Sequence, residues 1–226
     1  MRKIYAFDFD GTITNCDSLI AIIRYVSGSR RLLLWILSHL HLLLLMKAGL
    51  YSNNKLKQQL CRHIFAGMTE DALSSKAEAF ANDNAHIIRP QAMKMIKSAL
   101  AEGSTVCIIS ASPSIWVRPF FRSCSGIEFL CTEMESSRGV ITGRFIGSNC
   151  YGQEKVNRLL LHHPDRDTYE LTAFGDSRGD RELLAATSRW TAKCSVMDTS
   201  ASCPSMWRIK SPLARLWNAP RPSSRS

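Results

Sequence analysis

The chain contains no C-x-x-C pair and no stretch in which cysteine and histidine cluster, so its eight cysteines argue against a zinc site or a disulfide framework. Several lie in apolar runs such as Val106-Cys107-Ile108-Ile109 and read as buried reduced thiols. The histidines (His39, His41, His63, His86, His162, His163) make no metal-ligand spacing either. No secretory leader is expected either, since the first ten residues carry two acids, Asp8 and Asp10, and no long apolar stretch. A cytoplasmic location is the expectation that suits both absences. No apolar run reaches the roughly twenty residues that cross a bilayer. Leu32–Met46 comes nearest, interrupted by Ser38, His39 and His41 and flanked by Arg30, Arg31 and Lys47. Its apolar residues go all the way round, which fits a buried helix, a helix lying at a lipid interface, or a span.

Acids are in short supply: 19 Asp and Glu face 29 Lys and Arg, a formal net charge of +10. Such a balance favours anionic partners. Residues 189–226, however, hold seven of the cations against one acid, Asp198, together with eight serines, four prolines and three tryptophans. An edge strand over 189–197 and a poorly ordered basic tail over 198–226 are expected there. The tail lacks an organised aromatic and basic groove, so no nucleic-acid partner is expected.

What is present is an alternation. Lys3–Phe9, Thr105–Ser110, Ile127–Thr132 and Tyr169–Phe174 read as buried strands, and Pro90–Glu102, Pro113–Arg122, Gln153–His163 and Gly179–Thr187 as helices. This order predicts an α/β fold, a doubly wound parallel sheet with helices on both faces. Residues 1–15 and 90–197 would form the core, with a two-stranded flap at 133–147. Residues 16–89 are too long for an ordinary loop and predict an inserted cap of three or four helices.

Ligands of such sheets bind at the carboxyl ends of the strands, and four pieces of sequence converge there. In Asp8-Phe9-Asp10-Gly11-Thr12, strand alternation would point both acids the same way, and Gly11 permits a sharp turn. Paired carboxylates at a buried strand end call for a hard cation, Mg2+ first of all. Ser110-Ala111-Ser112 precedes a helix and could seat a phosphate. Lys155 opens a later helix, where a cation is mildly unfavourable unless an anion joins it. Asp176 and Asp180, with turns at Gly175 and Gly179, complete an acidic pocket.

The order DFDGTIT, SAS, a single Lys and GDSRGD resembles the four motifs of the haloacid dehalogenase superfamily. The helical insertion and the flap resemble its phosphoserine phosphatase-like branch, subfamily IB. That resemblance implies a phosphomonoester hydrolase with Asp8 as nucleophile and Asp10 as proton shuttle. It implies Mg2+ held by Asp8, the Asp10 carbonyl and Asp176, with Asp180 further out. Phosphate would be bound by Ser110, Ala111 and Lys155 with backbone amides at Gly11 and Thr12. Asp17 and Arg62 stand nearest to the branch's substrate-binding acid and cap arginine, and Gly179 replaces its usual Asn. The substrate is therefore expected to be a small or amphipathic phosphate monoester. A phosphatidylglycerophosphate-type lipid and phosphoserine are the alternatives, and residues 32–46 could make peripheral membrane contact. A signalling receiver domain also gathers acids at strand ends, but the long cap and a nucleophile in the first strand argue against it.

Overall fold

The computed structural model describes residues 1–187. In chain order, strand β1 (Arg2–Phe7) leads through a wide turn (Phe9–Ile13) into helices α1 (Ser18–Ser38), α2 (Leu40–Lys47), α3 (Asn53–Phe65) and α4 (Glu70–Asp83). Next come α5 (Pro90–Ala101), β2 (Thr105–Ile108), α6 (Ser114–Val117) and β3 (Ile127–Phe129). The hairpin β4 (Glu133–Ser137) and β5 (Val140–Ile146), α7 (Gln153–His162), β6 (Tyr169–Phe174) and α8 (Arg181–Ala185) complete the described chain. The edge strand expected over 189–197 and the tail 198–226 lie outside the described residues.

The sheet runs β3-β2-β1-β6 with every neighbouring pair parallel. Period-two alternation sorts its side chains onto two faces. Ile4, Ala6, Cys107, Leu171 and Ala173 pack with Val156 and Leu159 of α7 and Leu183 of α8. Phe7, Val106, Ile108 and Phe174 pack with Ala92, Ile96 and Ala99 of α5, and the Phe7 and Phe174 rings stack 4.5 Å apart. Helices therefore cover both faces, as the doubly wound reading requires.

The strands are shorter than their apolar runs. β1 ends at Phe7 rather than Phe9, β2 at Ile108 rather than Ser110, and β3 at Phe129 rather than Thr132, because the chain turns there to build loops over the strand ends. The helix expected over Pro113–Arg122 is α6 followed by a 3-10 turn, Arg118–Phe121. Pro119 has no N–H to continue an α-helical ladder.

Residues between Thr14 and Ile88 leave and re-enter the core side by side. Thr14 bridges Ile88, Asn15 N–H donates to Ile87 O at 2.9 Å, and Arg89 N–H donates to Ile13 O at 2.8 Å. The excursion contains α1 to α4. The hairpin β4–β5 is laced onto it: Ile141 N–H donates to Met68 O at 2.8 Å and Gly67 N–H to Ile141 O at 3.0 Å. Gly143 lies against α3 so closely that a Cβ would stand 2.3 Å from the Arg62 Cα.

Leu32–Met46 is not one helix. α1 and α2 meet at a bend of 66° beside His39, whose ring stacks on Trp35 at 4.4 Å. Leu32, Trp35, Leu43 and Met46 are buried in the core, while Leu33, Leu34, Leu37, Leu40, Leu44 and Leu45 are exposed. Among the described residues no single helix is long and apolar enough to cross a membrane.

Candidate active site

Strand alternation does not place the first two acids. Asp8 follows the end of β1 with its N–H still donating to Phe174 O at 2.9 Å. Phe9–Ile13 then forms a wide turn in which Gly11 adopts φ 81°, a conformation that costs glycine little. The turn closes on itself, with Thr14 N–H donating to Phe9 O and the Gly11 amide to Thr14 Oγ1 at 3.2 Å. The Gly11 amide, expected to meet phosphate, is thus paired inside the loop. Thr12 is buried, and its hydroxyl has no protein partner.

Asp8 is buried and faces Lys155, whose Nζ lies 2.5 Å from Asp8 Oδ1 and 2.5 Å from Asp180 Oδ1. Gly152, at φ 63°, turns the chain into α7 and lets its third residue reach inward. Burial alone would lower the Lys155 pKa, but the Asp8 and Asp180 charges outweigh it and raise it, so the ammonium stays charged. Burial, then the Asp180 charge, raises the Asp8 carboxyl well above its ordinary value despite Lys155. Asp180 is wholly buried, and its second oxygen accepts from Ser177 N–H at 2.9 Å and Ser177 Oγ at 2.6 Å. It fixes both Lys155 and the loop that presents Asp176.

Asp176 is exposed, yet burial of its carboxyl and the nearby Asp180 and Asp10 charges push its pKa up to about 6. One oxygen each of Asp8, Asp176 and Asp180 lies within 4.8 Å of the others. A Cβ on Gly11 would stand 2.4 Å from Asp176 Oδ2, so glycine is what allows this carboxylate to close on the turn. The crowded oxygens of these three carboxyl groups form an all-oxygen donor set suited to a small divalent cation. The Asp10 carboxylate is not one of the three and is hydrogen-bonded elsewhere. It accepts from Ser18 N–H at 2.7 Å and from Ser112 Oγ at 2.5 Å, bridging the start of α1 to the loop after β2.

Asp8, Asp10, Ser112, Lys155 and Ser177 line a cavity of about 70 Å³ together with Ser110, Ala111, Asp17 and Leu19. Ser110 Oγ is buried and accepts from Ser112 N–H at 3.0 Å. Asp17 caps α1 by accepting from Ile20 N–H at 3.1 Å. Burial and the Asp10 charge push its carboxyl up to about 6. Arg62 does not line the cavity: it is exposed on the other side of α3, against the flap. Five residues along a helix is a rotation of about 140° from the inward face. Lys57 holds that face instead, buried, with Nζ donating to Ala111 O at 2.7 Å. Asn53, on the first turn of α3, also lines the cavity, and its buried Oδ1 has no partner.

The family model of haloacid dehalogenase-like hydrolases matches residues 5–185. The chain belongs to that family. Among similar proteins, protein CicA of Caulobacter vibrioides is 36% identical to this hydrolase over 188 residues, 80% of this chain and 82% of its own. A Bordetella pertussis protein of unknown function shares the fold at a TM-score of 0.71 and 22% identity, over 83% of this chain and 87% of that one. A substrate-bound phosphoserine phosphatase does so at a TM-score of 0.57 and 16% identity, over 83% of each chain. The fold of this haloacid dehalogenase-like hydrolase is thus phosphoserine phosphatase-like.

Lys57 was the readable omission in the hydrolase's sequence. It shares a helix face with Leu60, Cys61 and Ile64, so a cation interrupts an otherwise apolar stripe. Asn53, Asn149 and Tyr151, which also line the cavity, carry no comparable signal. The fold also joins a trio that sequence spacing hid: Cys107, Glu128 and His163. Arg2 donates to His163 Nδ1 at 3.0 Å, which leaves Nε2 to donate to Glu128 at 2.8 Å. The ring is spent in a hydrogen-bonded network. All six described cysteines are free, and burial pushes the Cys61 thiol up to about 12, which keeps it protonated and inert.

Proposed function

We propose that this hydrolase cleaves phosphate monoesters through an aspartyl-phosphate on Asp8, with Mg2+ as cofactor. The observation that carries the reading is the buried Asp8 carboxylate held beside Lys155, with Asp176 at its flank. An Asp8 oxygen attacks phosphorus as the bond to the leaving oxygen breaks, and Asp10 gives that oxygen a proton. Asp10 then takes a proton from water, whose oxygen attacks phosphorus. The bond to Asp8 breaks, inorganic phosphate leaves, and both acids are restored. Lys155 and Ser110 would neutralise the phosphoryl oxygens, where electrostatic positioning supplies most of the rate. Asp8, Asp176 and the Asp10 carbonyl would hold Mg2+, which offsets the acid excess and withdraws charge from the phosphoryl group.

Beyond Asp8 and Asp10 the cavity wall is largely polar, with Asp17, Asn53 and Lys57 alongside Leu19. A small leaving group bearing hydrogen-bonding or charged substituents suits that wall better than an acyl chain. The test is a screen of phosphate monoesters, aryl phosphate included, with Mg2+ and with Asp8→Asn as the blank. Turnover by the parent protein and none by the variant is expected. Undiminished turnover in Asp8→Asn would overturn the mechanism.

A further inference from the structure

The outward side of the α1–α2 elbow is rich in exposed leucine. Leu33, Leu34, Leu37, Leu40, Leu44 and Leu45 are between 40 and 66% exposed. Their positions are not loose, because the opposite side of the same turns, Leu32, Trp35, Leu43 and Met46, is locked into the core. The elbow therefore presents a fixed leucine surface with nothing in the described residues covering it.

Charge restricts what can cover it. Residues 18–69 contain seven of the chain's cations and not one of its 19 acids. Arg24, Arg30, Arg31 and Lys47 are exposed on the elbow's own helices, and Lys55 and Arg62 on α3. A second copy is a poor occupant, because a two-fold contact sets each patch against itself and would bring these cations together. An occupant that is apolar within and negative at its surface satisfies both features at once. An anionic lipid leaflet has that chemistry: leucines enter the acyl boundary while arginine and lysine meet the headgroups. The bend of 66° between α1 and α2 opposes a straight crossing and suits helices lying along the surface.

We propose that the α1–α2 elbow docks this hydrolase, without spanning, on anionic membrane surfaces. The surface stands apart from the cavity, so the proposal is independent of the phosphatase reading. The test is flotation of the full chain with vesicles of phosphatidylcholine alone and of phosphatidylcholine mixed with phosphatidylglycerol. The parent protein should float with the mixed vesicles and far less with the neutral ones, and salt should release part of it. Leu37→Ser with Leu44→Ser should lower the bound fraction about tenfold, while melting temperature and hydrolysis of aryl phosphate stay at parent values. Arg30→Gln with Arg31→Gln should weaken binding and flatten its salt dependence. No flotation with mixed vesicles, or equal flotation of the leucine variant, overturns the proposal. So does a dimer in lipid-free solution that the leucine variant breaks, since a second copy would then be the occupant.

Discussion

Lys57 Nζ donates to the carbonyl oxygen of Ala111 at 2.7 Å, tying the inserted helices to the loop that carries Ser110. Replacing Lys57 with Met keeps the stem's packing and removes the ammonium. The half-buried Ala111 carbonyl then loses its donor, at a cost of about 1 kcal/mol. Because Lys57 lines the cavity, KM for the preferred ester should rise about tenfold with a smaller change in kcat. Steady-state kinetics read the split, and an unchanged KM would place Lys57 outside substrate recognition.

Lys155 neutralises two buried carboxylates, and Met at this position would leave both without a cation. Breaking a buried pair from one side costs about 3–5 kcal/mol. Urea unfolding of Lys155→Met should show that loss in the metal-free protein, with activity abolished. A midpoint close to the parent's would mean that Asp8 and Asp180 do not depend on the ammonium.

At Gly11 two penalties coincide: a left-handed backbone and the contact with Asp176. Gly11→Ala should lose about 1–2 kcal/mol to backbone strain alone. It should also displace Asp176 and so diminish the rise in melting temperature on adding Mg2+, a rise that at about a hundredfold Kd is worth ~2.7 kcal/mol. Gly103→Ala is the control, since Gly103 has φ 72° but open space around its Cβ position. It should pay the strain and keep the full response to Mg2+. Equal responses in the two variants would contradict the role given to the Gly11–Asp176 contact.

Asp17 sets part of the pH dependence. Its folded pKa, about 6, stands above its ordinary 3.8, so between those values the folded chain holds a proton that the unfolded chain has shed. The group's contribution is favourable below about pH 4, declines as pH rises to 6, and is a constant penalty beyond. Asp17→Asn keeps an N-cap acceptor for Ile20 and removes the charge. The variant should match the parent near pH 4 and exceed its stability by about 1–3 kcal/mol at pH 7. Denaturant midpoints across that range measure it, and parallel curves would exclude Asp17 as the source.

The sheet, its helices and the grouping of Asp8, Asp10, Ser110, Lys155, Asp176 and Asp180 were legible because each acid, serine or lysine follows a run of β-forming residues or opens a helix. Their local conformation was not. A period-two strand cannot reveal that Gly11 closes a wide turn, or that Asp180 spends both oxygens on Lys155 and Ser177. Arg62 was misplaced because helix phase inside an insertion depends on which face packs inward. That phase was nonetheless written in Leu60, Cys61 and Ile64, which share a face with Lys57. The outward leucines were hidden for a different reason: a run apolar on every side gives no phase at all until a bend sets one.

The paired crossings at Thr14–Ile88 have an evolutionary corollary. Exit and return lie side by side, so one four-helix excursion could be exchanged for another of different length without rethreading the sheet or moving Asp8. Arg89, at the return point, also donates to Thr14 O at 3.1 Å and Gly11 O at 3.4 Å, a staple that holds the seam shut whatever it encloses. The strand-end carboxylates and the helix that brings Lys57 to the cavity thereby sit on separately replaceable stretches of one chain.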